Sequence, residues 1–383
     1  MQACGIIAEF DPFHNGHKYL LDRARASGST HIAVVMSGST VQRGTVSFCD
    51  KFFRAETAVR NGADLVLELP APYSCSNAEV FASAGVRALD ALGEGVISRL
   101  VFGSEIADTS VLVRASEAAD SLKDSESLKE FCRGGDSYPL AVCKACELEY
   151  GKTVAEVFRY PNSTLAVEYC RALRAQAHHI EPFAVEREGA AHGSDRISGS
   201  FASASLIRSM LQNGENVSGL LPEVPDVFCK AERLDSLILY RLLSAEAEDI
   251  LALPDSNEAL ANRFLKAAAS CPASTEAFFE ACKSKSFTLS RLRRLALHLV
   301  LGVRKEDIVP LPYSRILAFN ERGREILAAG EHTLPIDTSL AALEQSSPAA
   351  RRVSLLERRG SLLFAAGSGI PPVNEYKKQI RIM

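Results

Sequence analysis

The stretch "CGIIAEFDPFHNGHKYLL", residues 4–21, runs from a short apolar segment through a proline turn into two histidines three residues apart. The apolar run is nearly continuous and rich in isoleucine, as in a strand buried on both faces of a parallel sheet. Pro12 stiffens the turn that follows, and a helix is expected to begin near Asn15 or Gly16. His14 and His17 therefore fall where a strand's carboxyl end meets a helix start. Three readings are open there. A metal site needs a third and fourth ligand, and the only other histidine near a plausible loop is His192, with no H-E-x-x-H motif. A structural reading leaves the cluster of Pro12, Asn15 and Gly16 around two imidazoles unexplained. A phosphate reading uses all of them: free N–H groups at the helix start, a glycine that lets the backbone come close, and two rings that donate to phosphate oxygens. Donors fixed at a phosphate stabilise the charge that accumulates there in adenylyl transfer.

The same alternation continues outward. "HIAVVMSG" (31–38), "ADLVLELP" (63–70), "RLVFGSE" (99–105) and "IEPFAVER" (180–187) read as further strands. "GHKYLLDRARAS" (16–27) and "DKFFRAETAVRNG" (50–62) read as helices, the second closed by Asn61-Gly62. This predicts an α/β fold with a parallel sheet. After Met210, "LQNGENVSGLLPEVPD" (211–226) concentrates turn formers, and four helical stretches follow. The expected division is 1–210, a nucleotide-binding catalytic domain, and 211–383, a mainly helical domain. "RRVSLLERRGSLLFAAG" (351–367) reads as one more helix and "NEYKKQIRIM" (374–383) as a loose basic tail.

Hydrophobic residues make up 47% and charged residues 23% of 383, which are globular proportions. The net charge of −4 gives no global attraction to nucleic acid, so a polyanion has to meet a local basic patch. One such patch is "KSKSFTLSRLRRLALHLVLGVRK" (283–305), with seven Lys/Arg and no acidic residue. Leu292, Leu295 and Leu299 recur at helical spacing, which leaves Lys283, Lys285, Arg291 and Arg294 for phosphate contacts on an exposed edge. Arg43 in "QRG" and Lys51 follow the second strand and are candidates for triphosphate or RNA contact. Of ten cysteines only Cys143 and Cys146 form a C-x-x-C pair, with no second pair at zinc-ribbon spacing, so buried thiols in a reducing compartment are expected. No signal-peptide pattern or membrane-length apolar run is present, and a cytoplasmic location is expected.

"GIIAEFDPFHNGH" resembles the signature of the H-x-G-H nucleotidyltransferases, a superfamily with a Rossmann-like fold. These enzymes carry a later motif of the I-S-S-T/A-x-I-R type, and "ISGSFASASLIRSM" (197–210) is similar to it. Its segment from Ser203 to Arg208 supplies hydroxyls and N–H groups at a helix start, then a cation. Together with "VMSGSTVQRGTVSFCDKFFRAETAVRNGADLVLELP", "FGSE", "YPNSTLAVEYCRAL" and "KSKSFTLSRLRRLALHLVLG", the chain resembles the bacterial tRNA(Met) cytidine acetate ligases to at least residue 330.

That resemblance implies an ATP-dependent ligase that makes acetyl-adenylate and acetylates N4 of the wobble cytidine of elongator tRNA(Met). It implies an ATP site formed by Ile7, Ala8, Glu9, Phe10, Asp11, Pro12, Phe13, His14, Asn15, Gly16, His17 and Lys18. Gly103, Asn162, Arg187, Ser203 and Ser205 complete it, with His14, His17 and Arg208 as the catalytic set and Mg²⁺ accompanying ATP. The chain departs from the pattern at Asp11, where asparagine is common, and in an inserted-looking Gly-Ser-Phe at 199–201. Asp11 either acts through Mg²⁺ or weakens ATP binding. Two alternatives are another H-x-G-H adenylyltransferase with a small phosphorylated substrate, and a nucleotide-dependent RNA-binding protein without chemistry.

Overall fold

The computed structural model describes residues 1–188, 196–284, 287–378 and 380. His192 and Lys285, both considered above, lie outside the described residues. Among the described residues nine strands form: β1 (Ala3–Ala8), β2 (His31–Ser37), β3 (Thr40–Val41), β4 (Thr45–Val46), β5 (Leu65–Leu69), β6 (Ile97–Ser104), β7 (Glu181–Glu186), β8 (Ser314–Phe319) and β9 (Ile336–Asp337). Seven of them make one sheet in the order β7-β6-β1-β2-β5-β8-β9, while β3 and β4 pair as a small antiparallel hairpin. The five strands expected from the apolar runs all form, and each is parallel to its neighbours among those five.

Both faces of the sheet are covered, which is why the runs read as continuous rather than alternating. Ile6, Val34, Met36 and Val66 pack on one side with residues of helices Asn15–Ala26 and Lys51–Arg60. Ile7, Val35, Leu65, Leu67 and Leu69 pack on the other with residues of helices Ala78–Asp90 and Pro161–Gln176. From β1 the chain adds β2 and β5 on one side, then crosses to lay β6 and β7 on the other. The strand order therefore reverses between β1 and β6, and the crevice at their carboxyl ends is where open α/β sheets bind ligands.

Past residue 210 the chain is mainly helical, as expected. Helices Asp235–Leu243, Glu258–Ala269, Thr275–Cys282 and Leu289–Leu301 enclose a core of their own, with Phe264, Phe278, Leu292 and Leu295 buried. The segment is not purely helical, because β8 pairs antiparallel with β5 and extends the sheet. The division at 210 thus runs through a shared sheet. Among the described residues, no helix is long and apolar enough to cross a membrane.

The stretch 374–383, expected to be a loose tail, is pinned at Glu375. Glu375, from the stretch expected to be a tail, is 5% exposed. It belongs to a buried ionic cluster in which Lys51 Nζ lies 2.6 Å from Glu68, 3.0 Å from Glu357 and 2.9 Å from Glu375. Arg315 on β8 pairs with Glu375 and also donates to its backbone carbonyl at 2.9 Å. Glu357, on the long helix Pro348–Ser368, accepts the Ser39 N–H at 2.7 Å and the Ala71 N–H at 2.8 Å. One cluster therefore ties the first helices, two strands and the last two segments together. It also corrects the reading of Lys51: a side chain 2% exposed and committed to three carboxylates is not a contact for RNA or triphosphate.

Candidate active site

A cleft of about 560 Å³ opens at the switch between β1 and β6. That size accommodates a nucleotide and part of a second substrate. The turn after β1 forms its floor, Gly103 and Arg187 at the ends of β6 and β7 form one side, and Gln42, Arg43 and Thr45 of the β3–β4 hairpin form the other. Helix Leu289–Leu301 closes that second side with Ser290 and Arg294. Gly44 (φ +79°) makes the closure possible: a Cβ there would stand 2.2 Å from the Arg294 backbone nitrogen.

The two histidines are held by the backbone they cap. His14 is the N-cap of helix Asn15–Ala26, and its Nδ1 accepts the Gly16 N–H at 3.0 Å. His17 Nδ1 in turn accepts the His14 N–H at 3.2 Å, closing a reciprocal capping box built from imidazoles. The rings stack with centroids 3.7 Å apart. An Nδ1 that accepts a backbone N–H carries no proton, so a neutral ring bears its proton on Nε2. Both residues line the cleft.

Burial keeps them neutral. His14, 8% exposed, is pushed down to about 3 by burial and then by Arg187 and Arg208. His17 is held well below 6.5 by burial, by His14 and by Arg187. Because the folded His14 binds fewer protons than the unfolded one, its contribution to stability is full above 6.5 and is lost as pH falls through 6.5 toward 3. Acid unfolding followed by circular dichroism should therefore begin at higher pH in wild type than in His14→Gln. Nucleotide turnover should show no inflection from these rings between pH 6 and 8.

The expectation of free helix amides is overturned. The Asn15 N–H donates to the Leu220 carbonyl at 3.1 Å and the Gly16 N–H to His14. The Asn15 and Gly16 amides are therefore not left over for an anion. Gly16 is required for a steric reason as well: a Cβ there would lie 2.9 Å from His14 Cε1. Gly16→Ala should tilt that ring and raise the KM for ATP roughly tenfold, while moving the thermal midpoint by only a few degrees, read by parallel kinetics and melting.

The later motif meets this turn from across the chain. Ser203 caps helix Ala204–Gln212 by accepting the Leu206 N–H at 3.1 Å. Arg208, one helical turn on, donates from Nη1 to the Asp11 carbonyl at 2.7 Å. Ser203, Ser205 and Arg208 all line the cleft, as do Gly103, Asn162 and Arg187. Asn162 is oriented by a hydrogen bond at 2.6 Å to Glu105, which also accepts the Ser163 N–H at 2.8 Å. Glu105 lies in the quoted "FGSE" stretch, where residue type alone does not mark it as the partner of Asn162.

Ile7, Ala8, Glu9, Phe10, Asp11, His14, Gly16 and His17 line the cleft; Pro12, Phe13, Asn15 and Lys18 do not. Phe13 packs edge-on against Phe10 at 4.9 Å in the core. Asn15 Nδ2 donates to the Ser200 carbonyl at 2.9 Å and the Gly219 carbonyl at 2.6 Å, tying the helix start to the later motif. Lys18 pairs with Asp22 at 2.8 Å on an exposed surface. Asp11 is not a spare metal ligand: Oδ1 accepts from Phe48 N at 2.8 Å and Cys49 N at 3.0 Å, and Oδ2 from Phe48 N at 2.9 Å. Among the described residues, no three His, Cys, Asp or Glu side chains come together to hold a metal.

The basic helix is more enclosed than its spacing suggested. Leu292, Leu295 and Leu299 are buried as expected. Arg291 bonds Asp255 at 2.9 Å, and Arg294 lies 3.8 Å from the same carboxylate while lining the cleft. Lys283 is exposed and pairs with Glu280 at 3.2 Å. Gln42, Thr45 and Ser290 join the lining through a long-range packing that no local signal reveals.

Comparison with known proteins agrees with this geometry. Residues 1–364 match the model of the HIGH Nucleotidyl Transferase family. The tRNA(Met) cytidine acetate ligase of Clostridium tetani is 34% identical over 354 residues, covering 85% of this chain and 87% of that one. Its counterpart in Syntrophotalea carbinolica is 36% identical over 363 residues, covering 90% and 86%. The crystal structure of apo Thermotoga maritima TmcAL in form I has a TM-score of 0.87 at 30% identity, covering 99% of this chain and 97% of that one. The form II structure of that protein bound with alpha-thio ATP gives 0.85 at the same identity and coverage.

Proposed function

We infer, since the chain belongs to the tRNA(Met) cytidine acetate ligase family of HIGH nucleotidyltransferases, that its cleft activates acetate with ATP and passes the acetyl group to the wobble cytidine of elongator tRNA(Met). The observation that carries the reading is the pair of neutral, backbone-anchored imidazoles at the switch crevice, faced by Arg208 from the later motif.

In the first step a carboxylate oxygen of acetate attacks the α-phosphorus, the α–β phosphoanhydride bond breaks, and pyrophosphate leaves. Negative charge builds on the phosphate oxygens, where Nε2–H of His14 and His17 and the guanidinium of Arg208 can meet it. Their anchoring means that little reorganisation is needed as the charge grows. Gly103, Asn162 and Arg187 border the other part of the cleft and suit the nucleoside moiety. Mg²⁺ accompanying ATP would supply neutralising charge at the triphosphate. In the second step the N4 amine attacks the acyl carbon and AMP departs. The cytidine amine is a poor nucleophile, so holding it in line with the acyl carbon supplies much of the rate.

Arg43, Ser290 and Arg294 border the hairpin side of the cleft and suit the approach of RNA in the cytoplasm, with exposed Lys283 further out on the same segment. The experiment is to incubate the protein with ATP, labelled acetate and a tRNA(Met) transcript, then identify the wobble nucleoside by mass spectrometry. N4-acetylcytidine is expected. Label found only on a small phosphorylated acceptor, with none in tRNA, would overturn the assignment.

A further inference from the structure

Two carboxylates stand on the turn after β1, and they are used differently. Asp11 is consumed by the Phe48 and Cys49 amides. Glu9 is only partly engaged: Oε1 accepts the Gln42 N–H at 2.8 Å, while Oε2 has no hydrogen bond to any described residue. Its backbone is equally fixed, since the Glu9 carbonyl accepts from Arg54 Nη1 at 2.6 Å. The side chain lines the cleft at the carboxyl end of the central strand. On the β6 side lie Gly103 and Arg187; on the β2 side lie the Gln42–Arg43 hairpin and helix Leu289–Leu301. The group thus sits at the junction between the part of the cleft that suits the nucleotide and the part open to RNA.

The transfer step requires a base somewhere. As N4 bonds to the acyl carbon it becomes strongly acidic, and its proton has to leave for the amide to form. His14 and His17 cannot take it at Nδ1, which accepts a backbone N–H, and Nε2 already carries a proton. We propose that Glu9 is the general base of the transfer step, its Oε2 taking the proton from the cytidine N4 amine as that nitrogen attacks the acetyl carbon. The N4–C bond forms, the bond from the acyl carbon to the AMP phosphate oxygen breaks with its electron pair, and the proton passes to Glu9 and then to solvent. This rests on the acetyl-adenylate reading given above.

The surroundings strengthen this carboxylate as a proton acceptor. Burial raises the Glu9 carboxyl above the usual carboxylate range and Asp11 adds to the rise, while the Gln42 N–H, Arg43 and Arg208 oppose it. Tyr169 faces the same carboxylate, and the Arg54 guanidinium stands on its backbone side. A carboxylate with raised proton affinity is a stronger acceptor than one in water, and general bases contribute about 10²–10⁴-fold.

The test separates the two half-reactions in the full-length protein. Acetate-dependent ATP–pyrophosphate exchange reads adenylation. Single-turnover transfer from chemically prepared acetyl-adenylate to a tRNA(Met) transcript, from pH 5.5 to 8.5, reads the second step. Glu9→Gln keeps the acceptor for the Gln42 N–H and should slow transfer about 100-fold or more, while lowering exchange less than tenfold. In wild type the transfer rate should rise with pH and then level off. That rise should vanish in Glu9→Gln and persist, at a lower rate, in Glu9→Asp. Equal losses in exchange and transfer would overturn the proposal, identifying Glu9 as an ATP or Mg²⁺ contact instead. So would an unchanged pH profile in Glu9→Gln. Wild type that transfers from prepared acetyl-adenylate but shows no exchange would sink the adenylation reading while leaving the base assignment standing. Wild type that fails to transfer would overturn the base assignment itself.

Discussion

His17→Ala is expected to lower acetate-dependent ATP–pyrophosphate exchange by about 10²–10³-fold, the loss typical of removing one fixed donor from a developing oxyanion. The effect falls on kcat more than on KM, because the donor's largest gain comes as charge accumulates at the α-phosphate. Part of the loss is indirect. His17 Nδ1 accepts the His14 N–H and its ring stacks on His14, so alanine frees the second imidazole as well. His17→Asn should recover part of the kcat, since an amide can both accept at the backbone and donate into the cleft. Stability should suffer little by comparison, with a cap-sized cost of about 1 kcal/mol. A His17→Ala protein that melts like wild type and exchanges at more than half its rate would remove the histidines from the reaction.

The second large effect lies outside the cleft. Lys51→Met should destabilise the protein by about 3–5 kcal/mol and lower its thermal midpoint by on the order of 10 °C. Lys51 is the ammonium shared by Glu68, Glu357 and Glu375, and none of the three is more than 4% exposed at its side chain. Removing it leaves Arg315 paired with Glu68 and Glu375, while Glu357 keeps its backbone N–H donors but has no ion pair among the described residues. The deficit should depend on pH with a definite sign. Burial raises Glu68 to about 7, above its ordinary 4.5, so the folded state binds the extra proton more tightly than the unfolded one. Stability from this group is therefore present below pH 4.5 and lost as pH rises through 7. Without the Lys51 ammonium the acid form is favoured further, and the gap between variant and wild type should narrow between pH 8 and 5. Denaturant melts at both pH values measure it, with Lys283→Met, an exposed pair, as the control expected within ±0.5 kcal/mol. A Lys51→Met midpoint unchanged at pH 8 would contradict this account of the cluster.

The first half of the fold was legible because its strands carry the signal themselves. "HIAVVMSG" is buried along its length, and a run of that kind fits little else between two amphipathic helices. The site was legible for a different reason: both motifs are contiguous, so the turn at 9–17 and the helix start at 203–208 declare their local geometry. What escaped depends on partners far away in the chain. β8 at Ser314–Phe319 joins the sheet through β5, some 250 residues earlier, and no periodicity names that partner. Lys51 reads as a loop charge until Glu357 and Glu375 arrive from the other end of the chain. The helix amides at Asn15 and Gly16 read as free until Leu220 and the His14 ring take them. Gln42 supplies only a backbone N–H to Glu9, a role that leaves no mark on residue type.

The most direct test of the central claim is exchange of labelled pyrophosphate into ATP by the wild-type protein, with and without acetate and without tRNA. The account predicts exchange that requires acetate, since acetyl-adenylate formation is reversible and needs no acceptor. ATP that exchanges no pyrophosphate with acetate present, even after tRNA(Met) is added, would contradict it.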